Sequence, residues 1–263
     1  MAPSPVWLAT AAPLSTPPPN EARAALLLAG ATVLYLGYYL AIRPAVVRRL
    51  FPRHTTTDDG VRTAIGLWRK AVGVALFGLV PGFAAALAWP GGLAACGLGL
   101  EHAPLSLALG LGFAAVMAPL IALQTRKPAF LAHYPEVRLP FTRRVAAWNA
   151  VGWATFLVAY ELFFRGLLVI ALAREIGAWP ALMASLFAYV LAHLDRFVGE
   201  TLGTLVTGTL FGLVALETGS ILGPIVAHLG VSLTSDTLAA RARARLGQSP
   251  PDGPSDSHAG GAP

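Results

Sequence analysis

The chain has 263 residues, of which 56% are hydrophobic and only 12% are charged, with a mean hydropathy of +0.63 and a formal net charge of +6. Soluble domains carry about 25% charged residues, so this chain has too little polar surface to cover a water-soluble globule of its size. Disordered and nucleic-acid-binding chains need still more charge and are excluded for the same reason. A single cysteine, Cys96, excludes an intramolecular disulfide. The composition therefore predicts an integral membrane protein.

Apolar segments follow one another along the chain and predict an all-α, polytopic transmembrane bundle. A membrane helix needs about 20 apolar residues, and about seven segments approach or meet this length. They are 24–42, 71–89, 104–123, 146–173, 179–194, 201–217 and 221–237. The Pro-rich residues 1–20 are expected to form a loose N-terminal segment. The Gly, Pro and Ser content of residues 247–263 predicts a disordered tail.

Ionisable residues divide the predicted spans into two groups. The first three spans hold no ionisable side chain in their interiors. We therefore interpret residues 21–144 as scaffold helices and residues 145–240 as the functional core. Within that core, Gly208 and Gly212 form a strip of small residues that favours close helix packing.

Basic residues are concentrated in the loops on one side of the seven-span arrangement. The loop 43–70 carries seven Lys and Arg residues, and the loop 124–145 carries five. Because positively charged loops stay in the cytoplasm, we expect the N-terminus outside and the C-terminus inside, in a bacterial inner membrane. The basic charge then indicates topology and contact with anionic lipid, and no nucleic-acid partner is expected.

Five ionisable residues of the C-terminal half are the candidates for membrane depth, with Asp236 near the cytoplasmic end of its span. They are Glu161, Arg165, His193, His228 and Asp236. Each costs a few kcal/mol to place at membrane depth, which makes each one a functional candidate. Glu161 and Arg165 are four residues apart on one helix, so they can also pair merely to neutralise each other.

A glutamate and two histidines on three consecutive helices predict hydrolytic chemistry. A carboxylate can act as the base for a water molecule, and imidazoles can donate hydrogen bonds to an oxyanion. Glu161, His193 and His228 could instead bind zinc as a two-histidine, one-carboxylate site. No HExxH motif occurs. Since no further carboxylate is placed to orient the histidines, we favour a site with neither metal nor other cofactor.

Three short motifs resemble those of a known family, the CPBP intramembrane proteases, which include the type II CAAX prenyl endopeptidases and the Abi bacteriocin-immunity proteins. YELFFRG (160–166) resembles the family's Glu-Glu-x-x-x-Arg-Gly block, YVLAH (189–193) its Phe-x-x-x-His block, and HLGVS (228–232) its His-x-x-x-Asn block. Two functional positions differ, because Tyr160 replaces the first acid and Ser232 replaces the Asn. Tyr-Glu variants of the first block resemble bacterial sorting-type members.

The resemblance implies a membrane-embedded endopeptidase that cleaves a membrane-associated protein or peptide precursor. In this interpretation Glu161 activates a water molecule and Arg165 orients Glu161. His193 and His228 position the water and donate hydrogen bonds to the oxyanion, and Ser232 supplies a further hydrogen bond.

Two non-hydrolytic alternatives stay open at this stage. An inactive family member could act as a membrane adaptor, and a proton-coupled transporter could use Glu161 and the histidines as a relay. A hydrolase needs these side chains within reach of one water molecule, whereas a relay needs them spread across the membrane. The expected partners are the lipid bilayer and a substrate with a membrane-associated segment. The sequence predicts neither the oligomeric state nor the identity of the substrate.

Overall fold

The computed structural model describes residues 20–100, 102–138 and 142–247. In these ranges the chain is helical and contains no strand, which confirms the predicted all-α class. Except for residues 20 and 247, the predicted loose segment and disordered tail lie outside the described residues. The helices are α1 (Glu21–Ala41), α2 (Pro44–Leu50), α3 (Asp58–Gly73), α4 (Val80–Ala88), α5 (Ala103–Gln124), α6 (Pro128–His133), α7 (Arg143–Glu161), α8 (Leu172–Ile176), α9 (Ala178–Leu191), α10 (Val198–Thr218) and α11 (Leu222–Leu246).

Each of the seven predicted spans falls on a helix. Five continuous helices are long and apolar enough to cross a membrane, namely Glu21–Ala41, Asp58–Leu87, Ala94–Gln124, Arg143–Ile176 and Val198–Thr218. Helix α9 is apolar but has only 14 residues. At 1.5 Å per residue this is about 21 Å, short of a bilayer core of about 30 Å. Helix α11 is long but more polar and is not among the five. The number of spans stays a prediction.

The continuous helix Arg143–Ile176 forms the axis of the bundle. It comprises α7, a π-helical stretch at Leu162–Ala171, and α8. In its apolar stretch 89% of the residues are buried, because α3, α9, α10 and α11 all pack against it. Thr142 caps its start by accepting a hydrogen bond from the Val145 amide at 3.2 Å. The motif YELFFRG thus lies in the most enclosed part of the fold.

Glycines let the helices around this axis approach closely. A Cβ on Gly110 of α5 would lie 2.3 Å from the carbonyl oxygen of Gly223 on α11, so the two backbones touch and no larger residue fits there. Gly208 and Gly212 of α10 face α9, and a Cβ on Gly208 would lie 2.9 Å from the ring of Tyr189. This close packing fixes α9 and its tyrosine against α10.

Residues 134–138, which follow α6, are packed into the end of the bundle. Their acidic residue, Glu136, is 6% exposed. Its Oε1 lies 2.6 Å from Nη2 of Arg69 and 2.8 Å from Nη2 of Arg196, and its Oε2 lies 2.8 Å from Nζ of Lys70. Burial alone would raise the pKa of the Glu136 carboxyl, but the three cations outweigh burial and hold that pKa well below its usual range. We call these four residues the Glu136 cluster.

Asp236 holds the same segment from the other side. Its Oδ1 accepts a hydrogen bond from the Glu136 amide at 3.0 Å. Its Oδ2 accepts from Asn149 Nδ2 and Trp153 Nε1, each at 2.8 Å. Asp236 therefore anchors the backbone at Glu136 to α7 and α11. Arg69 and Lys70, two of the basic residues of the loop 43–70, are thus partners of one buried carboxylate, together with Arg196.

Candidate active site

Glu161, the last residue of α7, has a fully buried side chain that contacts two other predicted site residues. Its Oε2 lies 3.1 Å from Nη1 of Arg165, one turn further along the helix, and its Oε1 lies 2.7 Å from Nδ1 of His228 on α11. An ionised carboxylate only accepts hydrogen bonds, so Nδ1 of His228 carries the proton. In the neutral ring, Nε2 then has a free lone pair.

Arg165 is 1% exposed and lies between aromatic rings. Its guanidinium carbon is 4.1 Å from the ring centroid of Tyr189 and 5.3 Å from that of Phe211. A buried cation needs an opposite charge, because an unpaired charge in such surroundings is strongly destabilising. Arg165 therefore holds Glu161 in place, and Glu161 in turn orients His228.

His193 follows the C-terminal end of α9 and makes a different contact. Its Nδ1 lies 2.9 Å from the backbone carbonyl oxygen of Tyr189. A carbonyl oxygen only accepts, so Nδ1 is protonated in this ring as well, and Nε2 of neutral His193 is an acceptor. A neutral ring at either position thus presents a lone pair at Nε2, whereas the role implied by the resemblance includes a hydrogen bond donated to an oxyanion.

His193, His228 and Ser232 lie on the wall of one cavity of about 230 Å³. Ser232 is one turn after His228 on α11 and is itself buried. Glu161 and Arg165 are not part of the wall, since Glu161 lies behind His228. The described structure therefore collects all five predicted site residues at one place, three of them facing the cavity and two supporting it.

Aromatic side chains form much of the remaining cavity wall, and several come from α1. The hydroxyl of Tyr35 donates to the carbonyl oxygen of Ala188 at 2.9 Å, and that of Tyr39 donates to the carbonyl oxygen of Leu191 at 3.0 Å. These bonds fix α1 against α9 beside the cavity. The cavity wall also includes two members of the Glu136 cluster, Arg69 and Arg196.

Sequence reasoning did not place these residues at the site. The α1 tyrosines lie in a span without ionisable groups, and their hydroxyls were not counted as intramembrane polar groups. For the Glu136 cluster a signal existed, because Glu136 is the one acidic residue in the otherwise basic loop 124–145. A lone acid among many basic residues indicates an internal ion pair.

The zinc alternative is not assembled in this arrangement. Within the described residues, no three His, Cys, Asp or Glu side chains are grouped as they would need to be to hold a metal ion. Oε1 of Glu161 faces Nδ1 of His228 directly, and Nδ1 of His193 is bonded to a backbone carbonyl. Asp236 contacts Asn149 and Trp153 and does not orient the histidines.

Residues 143–234 match the family model described as type II CAAX prenyl endopeptidase Rce1-like. The matched segment begins at the start of α7, ends within α11 and contains all five predicted site residues. This match confirms the family resemblance found in the motifs, and the family is one of membrane proteases. No curated protein and no solved structure gives a significant match to the chain.

Proposed function

We propose that this chain, whose residues 143–234 match the Rce1-like family model, is an intramembrane endopeptidase that cleaves a membrane-associated protein or peptide precursor. The observation that carries the proposal is the 2.7 Å contact between Glu161 and His228 at the wall of the cavity. A carboxylate that orients a histidine on the wall of a cavity is an arrangement used for general-base hydrolysis.

His228 is the base in this proposal. Its Nε2 takes a proton from a water molecule while the water oxygen attacks the carbonyl carbon of the scissile bond. Glu161 keeps its hydrogen bond from Nδ1–H and stabilises the imidazolium that forms. His228 then returns the proton to the leaving nitrogen as the C–N bond breaks, which yields a carboxylic acid and an amine.

Two further side chains assist the reaction. His193, with Nε2 as an acceptor, holds the second hydrogen of the attacking water. The hydroxyl of Ser232 donates to the oxyanion. The resemblance implies a base at position 160, which is Tyr160 in this chain, and the sequence-based expectation gave that role to Glu161 instead. Glu161, however, is buried behind His228 and is not part of the cavity wall. Its position supports an orienting role.

The compact arrangement supports a hydrolase over a proton relay. Glu161 contacts both Arg165 and His228. The ring of Tyr189 lies against Arg165, and the backbone carbonyl of Tyr189 accepts a hydrogen bond from His193. A relay across a membrane of about 30 Å needs titratable groups at successive depths. We further propose that the protein acts without a metal in a bacterial inner membrane, with the N-terminus outside.

The proposal is tested by comparing membranes that contain the wild-type chain, His228→Gln or His54→Gln. His54 is an exposed histidine outside the cavity and serves as the matched control. The N-termini of the membrane proteins are compared at equal levels of the three forms of the chain. A new N-terminus that occurs with wild type and His54→Gln but not with His228→Gln identifies the substrate. The purified protein should then cleave that substrate in H₂¹⁸O with one ¹⁸O in the new carboxyl group. Identical N-termini in all three membranes contradict a protease.

A double variant separates the two assignments of the base. When Glu161 acts only through His228, Glu161→Gln combined with His228→Gln lowers kcat/KM no further than His228→Gln alone, as for catalytic groups that work as a unit. When Glu161 takes the proton itself, the losses of the two single variants multiply. Thermal unfolding of each variant shows whether the protein remains folded.

A further inference from the structure

Tyr160 is the buried residue of the site that the mechanism above leaves without a role. It precedes Glu161 on α7, is 5% exposed, and lies on the wall of the cavity. Its ring centroid is 5.5 Å from that of His228, with the two ring planes at 79°. It is therefore adjacent to the proposed base and faces the space in which the water and the scissile carbonyl must meet.

The hydroxyl of Tyr160 lacks a hydrogen-bond partner among the described residues. Buried tyrosine hydroxyls ordinarily find one, and others on the same wall do so, since Tyr35 bonds Ala188, Tyr39 bonds Leu191 and Tyr134 bonds Glu200. A hydroxyl on a cavity wall with no protein partner is available to a group inside the cavity.

The mechanism has one donor to the oxyanion, Ser232, and Tyr160 can supply a second. Peptide hydrolysis places negative charge on the carbonyl oxygen, and hydrogen-bond donors must meet it. Nε2 of neutral His193 is an acceptor, because its Nδ1 carries the proton. Nε2 of His228 takes a proton from the water during the attack, but that proton goes on to the leaving nitrogen. A phenol is a donor at neutral pH. Of the cavity hydroxyls, those of Tyr160 and Tyr189 belong to residues in ring contact with His228, and the Tyr160 ring is the nearer of the two, at 5.5 Å against 6.4 Å.

We infer that Tyr160 is a catalytic residue whose hydroxyl donates to the oxyanion of the tetrahedral intermediate, together with Ser232. This inference rests on the proposed function. In this inference the role of position 160 is reversed. The carboxylate of the family motif would accept a proton from water at this position, whereas the phenol of Tyr160 stabilises the charge that the attack creates. His228 then has to be the base, as the position of Glu161 already indicates.

Tyr160→Phe removes only the hydroxyl and keeps the ring packing. Tyr38→Phe is the matched control, because Tyr38 lies on the same cavity wall, is 7% exposed and also lacks a hydroxyl partner among the described residues, but its ring contacts are with Tyr39 and Phe77. On the precursor identified above, kcat of Tyr160→Phe should fall about 10²–10³-fold with little change in KM, the loss typical of one oxyanion donor. Tyr38→Phe should retain the wild-type kcat.

Binding of a transition-state mimic supplies a readout that a structural role would not change. A phosphinate analogue of the scissile bond should bind Tyr160→Phe more weakly by a factor similar to the loss in kcat, while the uncleaved precursor binds equally well. An unchanged kcat, or a lower kcat without weaker phosphinate binding, overturns the inference. Both of these results concern only Tyr160. The proposed protease function still holds in either case when wild type cleaves the precursor and His228→Gln does not. No cleavage by wild type removes the proposed function itself.

Discussion

Replacing Glu136 by Gln tests whether the Glu136 cluster stabilises the fold. Each of its three ion contacts, at 2.6–2.8 Å, is worth about 6 kcal/mol of gross attraction at an effective dielectric constant of about 20. Desolvation of four charges and repulsion among the cations offset most of this sum. A glutamine keeps one carbonyl acceptor for three donors and leaves buried cations without an opposite charge. Breaking such a buried network costs about 3–5 kcal/mol.

Thermal unfolding of the detergent-purified protein measures this loss. For a chain of this size 1 kcal/mol corresponds to about 2–4 °C in Tm, so Glu136→Gln should lower Tm by about 6–20 °C. Glu200→Gln is the control, because Glu200 is partly exposed and makes one hydrogen bond, from Tyr134 at 3.0 Å, and a 3.7 Å pair with Arg196. Its loss should cost about 1 kcal/mol. Equal shifts in Tm for the two variants would refute the reasoning.

Three further predictions concern pH, metal and topology. The folded-state pKa of Glu136 lies below its usual range. The contribution of Glu136 to stability is therefore complete above the unfolded-state pKa of about 4.3 and is lost as the pH falls through the folded-state pKa. Tm should be steady from about pH 8 to 5 and fall below about pH 4, and the fall should be less steep in Glu136→Gln. Prolonged chelation should leave cleavage intact, and a loss that added zinc restores would establish a metal site. Cysteines introduced at Asp58 and Asp252 should react with an impermeant maleimide only after cells are opened, and labelling of intact cells at position 58 would reverse the proposed orientation.

The sequence predicted the helices and the candidate residues because both depend on local properties. The apolar runs extend over enough residues to mark every long helix, and a charged or imidazole side chain inside such a run is conspicuous. Glu161 and Arg165 share a helix face by spacing alone. The π-helical stretch Leu162–Ala171, by contrast, could not be predicted, because no pattern of Gly or Pro in the sequence distinguishes it from an α-helix.

The partners of the polar groups could not be predicted, because they are distant in the sequence. Glu136 pairs with Arg69 and Arg196, each at least 60 residues away, and helical periodicity carries no information about such pairs. The same limit applies to His228. Which ring nitrogen holds the proton depends on the acceptor at Nδ1, and for His228 that acceptor is 67 residues away in the chain. The sequence therefore identified the groups but not which of them donate.

The hydrogen bonds that join α1 to α9 place part of the cavity wall outside the segment that resembles a protease. Tyr35 and Tyr39 precede residue 143, the start of that segment, by about a hundred positions, yet they line the same space as His193 and His228. In the proposed protease, the first helix therefore contributes to the wall of the cavity that receives the precursor, whereas the groups proposed to act on the peptide bond all lie within residues 143–234. A part of the chain outside the matched segment thus helps to shape the space beside the reacting groups.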